Sequence, residues 1–317
     1  MFTFANPQSS SAQAQIALAL RVGLGLVFIA GGIAKLERLL TPMKAKGIVD
    51  QYVGPLGYIN QTFLDWLFAS PLGMVLTPWN FLTVLSAFEL ISGVMLMVGL
   101  MVRPLSALWA LLLWSFVVSL PVVTTPGVAL TAKTYQSPAE FIQIRDIALS
   151  GFFFVLYNLG SGARSMDAGR YLMPETLGRD WGPMGLLLRV SLGSVFLVGG
   201  FFAGYDNIIT FGAPGWLLAI VGLGLIAGVG ERWFATAACA VLLWFMLTKL
   251  LAAPGVIVFF NGVKREFALL AAAGAIAFVG GGSLFTLGKM QAALAGWWST
   301  YFGSRAEPAR SGHRPTA

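Results

Sequence analysis

The chain has one cysteine, Cys239, and one histidine, His313. A lone cysteine inside an apolar run cannot form an intrachain disulfide, and no C-x-x-C pair is present for thiol redox work. A lone histidine in the polar stretch RSGHRPTA excludes haem held by two histidines, and equally a histidine-rich copper or zinc site. No haem and no metal are expected. Charge is scarce as well: 10% of residues are charged and 57% are apolar, where a soluble domain carries about 25% charged residues. Any redox role therefore needs a diffusible co-substrate such as a quinone, or a partner subunit. The net charge of +7 bears on topology and anionic lipid rather than nucleic acid. No aromatic-basic recognition motif accompanies it, and no nucleic-acid partner is expected.

What the chain has in abundance is apolar sequence. Several runs reach the roughly 20 residues that cross a hydrocarbon core. They predict an all-α integral membrane protein with about eight transmembrane helices, near 14–36, 79–101, 105–120, 139–159, 184–202, 216–229, 233–251 and 263–279. The polar N-terminus MFTFANPQSSSAQAQ has no basic region before the first span, so that span reads as a retained helix rather than a signal peptide. Lys and Arg divide almost evenly between the two sides. The small excess predicts a multi-pass protein of the cell (inner) membrane with a cytoplasmic N-terminus and an unusually basic outer face.

The stretch LRVGLGLVFIAGG at 20–32 returns at 188–200 as LRVSLGSVFLVGG. Self-similarity of this kind marks an internal repeat. Later features recur in the same order: Gly99 and Arg103 with Gly228 and Arg232, Trp114 with Trp244, and Arg145-Asp146 with Arg265-Glu266. The chain thus reads as two tandem four-helix bundles. A first unit at 1–167 carries a charged cluster, and 168–183 is a linker. A second, degenerate unit spans 184–288, and 289–317 is an interfacial and disordered tail containing GWWSTYF.

Glu89 lies inside an apolar span, where a carboxylate is costly and faces the bundle interior or a water-filled cavity. Lys35 ends the first helix and Arg145 begins the fourth, so both belong near the same membrane face as Glu89. One reading makes Glu89 a proton acceptor beside a basic anion or quinone site. The other makes the three residues a structural ion pair joining helices. Asp146 could simply favour the helix dipole, whereas Arg145 opposes it and needs another reason to be there. The second unit has Leu218 near the Glu89 position and Ala203 at that of Lys35, so any reactive site is expected in unit one. Arg21 and Arg189 are expected to snorkel to lipid headgroups. The connection after the first helix holds an amphipathic stretch, 59–69, expected to lie along the interface with Ile59, Phe63, Trp66 and Leu67 on one face. Lys44 and Lys46 beside it could attract anions.

RVGLGLVFIAGGIAKL, then ELISGVMLMVGL from Glu89, Arg103 just after the second span, and GSGARSMD ending at Asp167 together resemble the DoxX-like family of four-helix membrane proteins. The resemblance runs closest to DoxD-type members, small membrane subunits of thiosulfate:quinone oxidoreductase. Lys35, Glu89, Arg103, Arg145, Arg164 and Asp167 stand at positions typical of the family. The resemblance implies a membrane subunit of a quinone-linked sulfur oxidoreductase, with Glu89 and Arg145 catalytic. Lys35, Arg103, Asp146, Arg164 and Asp167 would bind substrate, quinone would be the diffusible co-substrate, and a membrane or periplasmic subunit would be the partner. A non-catalytic scaffold or assembly subunit of a respiratory complex is the alternative, and a small-anion or proton carrier the third.

Overall fold

The computed structural model describes residues 6, 8–129, 133–134, 137–168, 178–202, 211–289, 291 and 298. The first helix, α1 (Ser10–Leu40), is 31 residues long, and the Ser9 side chain caps it by accepting from the Ala12 amide. Two short helices follow, α2 (Pro42–Val53) and α3 (Gln61–Ala69), then a single 3-10 turn at Pro71–Met74. Pro78 opens α4 (Pro78–Val98) at its first position, where a missing amide costs nothing. The remaining elements are α5 (Val102–Ser119), the one-turn α6 (Pro121–Thr124), and a two-residue antiparallel pairing of β1 (Lys133–Thr134) with β2 (Ser137–Pro138). Then come α7 (Ala139–Leu159), α8 (Trp181–Phe201), α9 (Gly215–Ala227), α10 (Glu231–Ala252) and α11 (Val256–Val279).

The protein is a multi-pass, all-α membrane protein. Five helices, α1, α4, α5, α8 and α10, are long and apolar enough to cross a bilayer. Of the other expected spans, α9 is a shorter apolar helix of 13 residues, while α7 and α11 are 21 and 24 residues long and carry charges. Exposed Leu111, Val118, Val84, Ile91, Leu243 and Trp244 give the outer faces of these helices the apolar surface that lipid requires.

Helix packing follows one pattern twice. α1 lies along α4, and α8 along α9; α5 lies along α7, and α10 along α11. The last helix of each half then crosses to the first helix of the other, α11 onto α1 and α7 onto α8. One apolar core results, drawing on Leu20, Phe28 and Phe153 from the first half and Leu192, Phe196 and Leu269 from the second. Between membrane helices the driving force is close packing, and small residues permit it. Gly31 and Gly32 let α4 approach the backbone of α1, so that a Cβ at Gly31 would strike the Glu89 carboxylate.

A second, smaller core sits over the C-terminal end of α1. Ile48 and Tyr52 of α2, Ile59, and Leu64 of α3 pack on Leu39 and Leu82. The Trp79 indole donates to the Leu39 carbonyl at 2.9 Å and pins this cap to α4.

Several sequence expectations change. The connection after α1 holds two helices, and α2 was legible in the Pro42 start and the apolar pair Ile48 and Tyr52. α3 buries Leu64 and Leu67 and turns Phe63 and Trp66 outward, so Phe63 and Trp66 do not share a buried face with Leu67. α11 begins seven residues before its expected start and bends at Val263, whose φ of −123° and ψ of 15° are not helical. Arg21 and Arg189 do not snorkel; they are 1% and 0% exposed. The aromatic tail stretch GWWSTYF and His313 fall, apart from Trp298, outside the described residues, as does Ala203.

Candidate functional site

A cavity of about 70 Å³ opens beneath the cap. By the same measure a single water needs roughly 10–15 Å³, so the space takes a few waters or one small ion. α1 contributes Val27, Phe28 and Lys35, and α4 contributes Leu85 and Glu89. Trp109, Leu113 and Phe116 come from α5, Asp146 from α7, Tyr52, Tyr58 and Ile59 from the cap, and Lys264 and Arg265 from α11.

Glu89 is the twelfth residue of α4, about 16 Å along the helix axis from its start, which puts it near the middle of the span. The Lys35 ammonium pairs with Glu89 Oε2 and lies 5.3 Å from the centre of the Tyr52 ring, a cation–π contact. The Glu89 side chain keeps 11% of its surface exposed. Phe28 stacks on Trp109 at 4.0 Å, and the Trp109 indole donates to Ser92 Oγ at 3.0 Å, fixing the aromatic wall.

The second charged group is Asp146, eight residues into α7. The dipole effect fades within the first turn, so the dipole does not account for this residue. Asp146 accepts a hydrogen bond from the Tyr58 hydroxyl and faces Arg265 Nη2 at 3.6 Å. Tyr58 lies in the cap, outside the spanning helices. Burial pushes its phenol well above the ordinary value of 10, the Asp146 charge pushes the same way, and Arg265 opposes both. Arg145 is buried beside Asp146 but does not line the cavity. Its electrostatic partners are Glu266 and Asp146, with Arg265 repelling it. Arg265 thus faces Asp146 across α7 and α11, while the charge of Glu266 on α11 favours the Arg145 cation on α7.

The structure thus brings Lys35, Glu89 and Asp146 together and leaves Arg145 one layer away. Three other expected site residues lie elsewhere. Arg103, Arg164 and Asp167 gather around Arg21, which is 14 residues, or about 21 Å, from Lys35 along α1. Asp167 accepts from the amides of Met101 and Val102 at 2.9 and 3.0 Å and caps α5. Arg103 sits against Gly160. Arg164 supplies a backbone carbonyl to Arg21 at 2.7 Å. These residues close the α4–α5 turn at the far end of the bundle from the cavity. Lys44 pairs with Glu37 at 2.6 Å and does not line the cavity.

Sequence reasoning placed every reactive group in the first half and missed Lys264, Arg265, Tyr52, Tyr58 and Trp109. The pairing of Arg145-Asp146 with Arg265-Glu266 was the available signal for α11. In the second half, Phe196, the counterpart of Phe28, stacks on buried Phe211 at 5.2 Å, and Phe245 meets that ring edge-on at 5.6 Å. Leu218, where Glu89 would stand, is buried. Three rings thus pack together there.

Residues 16–120 match the family model described as DoxX. The chain carries a DoxX domain. No curated protein and no solved structure matches it. The DoxX domain covers Lys35, the cap, Glu89 and Trp109, while Arg145, Asp146, Lys264 and Arg265 lie beyond it. The site is thus composite, part DoxX domain and part the two charged helices that follow it in sequence.

Proposed function

We propose that this DoxX-domain protein is the membrane subunit of a quinone-linked oxidoreductase, with thiosulfate as electron donor, as in DoxD-type proteins. The observation that supports it most is the Lys35–Glu89 pair inside an aromatic-walled cavity near mid-membrane. Cations attract the donor anion, a space of this size admits one small ion, and buried carboxylates can hold and pass protons. In the overall reaction two thiosulfates join through a new S–S bond, giving tetrathionate and two electrons. One quinone takes up those electrons and two protons. Glu89, reached through Lys35, and Asp146, hydrogen-bonded to Tyr58, are the groups of this chain placed to deliver protons. Lys35 and Arg265 hold negative charge in the cavity. Quinone enters as a diffusible co-substrate from the bilayer, and the membrane face is that expected to lie outside.

The test is thiosulfate-dependent reduction of a soluble quinone analogue by the detergent-purified protein. Wild type is expected to turn over, and Glu89→Gln to lose at least ten-fold in rate while remaining folded. Turnover that survives Glu89→Gln at the wild-type rate removes the proposed role of the carboxylate. An absence of wild-type turnover removes the oxidoreductase for the isolated chain and favours the scaffold reading.

A further inference from the structure

Two of the cations lining the cavity have carboxylates of their own: Lys35 pairs with Glu89 and Arg265 faces Asp146. Lys264 does not. Among the described residues its ammonium donates only to the Asn261 side-chain oxygen, at 2.9 Å and one turn back on the same helix. Lys35, Arg265 and Arg145 all repel it, and the carboxylate that attracts it, Glu89, is already engaged by Lys35. An ammonium without a counter-charge at membrane depth is costly. Here it borders a cavity that Tyr52, Tyr58 and Ile59 line from the cap side and that is large enough for one small ion. Lysine suits such a role, since its three donors rotate about a compact charge and adapt to a small ligand.

We propose that Lys264 of the second half and Lys35 of the first together bind a small oxyanion in this cavity, with Lys264 as the residue that charges the site for it. The inference rests on reading the cavity as a ligand site, but not on electron transfer. It assigns to α11, outside the DoxX domain, the determinant of anion binding. It also accounts for a lysine beside the bend at Val263 that has no carboxylate of its own among the described residues. The chemistry required is a tetrahedral oxyanion, which either a soluble anion or a lipid phosphate could supply.

The experiment is thermal unfolding of the full-length protein titrated with sodium thiosulfate and with sodium sulfate, at ionic strength held constant with gluconate. A parallel arm uses phosphatidylcholine nanodiscs with and without phosphatidylglycerol. Wild type is expected to show saturable stabilisation. Lys264→Gln is expected to unfold no earlier than wild type without anion, because it removes an uncompensated charge, and to bind the anion at least ten-fold more weakly. Lys264→Arg should keep the response, and Lys249→Gln, an exposed residue at the end of α10, should not change it. Stabilisation by soluble anions identifies a free ion, and stabilisation by phosphatidylglycerol alone identifies a lipid phosphate. A wild-type response retained in Lys264→Gln overturns the proposal. So does a wild type that responds to none of the three probes, or a Lys264→Gln protein that unfolds earlier or fails to fold. Anion-dependent stabilisation without quinone reduction leaves this site standing and removes the oxidoreductase. Quinone reduction that is indifferent to Lys264→Gln does the reverse.

Discussion

Glu89 and Lys35 are far apart in sequence and joined in the interior, so each is the other's justification. Removing one partner of such a pair leaves a buried charge, at a cost of about 3–5 kcal/mol, whereas replacing both with apolar residues is often nearly neutral. Lys35→Met alone should therefore destabilise strongly, and Lys35→Met with Glu89→Leu should recover most of the loss. Chemical or thermal unfolding of the four proteins in the cycle measures this, and simple additivity would show that the pair is not coupled. Tyr58 gives a pH signature. Its phenol holds its proton beyond pH 10 in the folded protein, whereas an unfolded tyrosine releases it near 10. The stability it contributes is thus complete below pH 10 and declines as pH rises above that value. Tyr58→Phe should flatten the alkaline limb of the unfolding curve and cost about 1–3 kcal/mol at pH 7, through the unpaired Asp146 oxygen.

Among the elements, Arg21 within α1 and Arg189 within α8 perform the same task. Arg21 donates to the carbonyls of Met97, Ala163 and Arg164, at 2.5, 2.7 and 2.7 Å. Arg189 donates to those of Ile226, Leu284 and Phe285. Arg21 thereby satisfies orphan carbonyls at the end of α4 and in the segment after α7, and Arg189 those at the end of α9 and in the segment after α11. Gly99, at φ +76°, ends α4 in the left-handed region, and a Cβ there would lie 2.7 Å from the Arg21 guanidinium. Gly99→Ala should combine backbone strain with a clash and lower stability by more than about 1 kcal/mol. Arg21→Gln should cost several-fold more than a surface Arg→Gln change, because it strands buried acceptors.

The helices themselves were legible because apolar length and proline or glycine boundaries are local signals. The likeness of 20–32 to 188–200 was legible because Arg, Phe and Gly-Gly keep their spacing. Glu89, Lys35 and Asp146 stood out because charge in an apolar run is rare. Lys264 and Arg265 were visible as residues but not as neighbours of Glu89. Their placement depends on which first helix α11 chooses, and nothing in a single sequence encodes that exchange. Arg103, Arg164 and Asp167, named by the family pattern, lie at the α4–α5 turn closure and not at the cavity.

On the scale of the whole molecule, the halves are bound by their fourth helices. A protease site introduced between Ala168 and Gly178 should therefore leave a nicked protein whose two pieces co-purify in mild detergent, and the anion response should persist in the complex. Separation of the fragments on cleavage would contradict the packing of α11 on α1 and of α7 on α8.

That exchange also fixes stoichiometry. Two identical copies of such a half would pair into a body with two equal cavities, each needing the other chain's last helix. Joined in one polypeptide, the copies can no longer mispair, and each is free to change alone. The first half holds a cavity with charged walls, while in the second Phe211 packs against Phe196 and Phe245. Among the described residues, the proposed binding position is therefore that of the charged cavity in the first half. A lesion in the second half, however far in sequence from Glu89, can silence it.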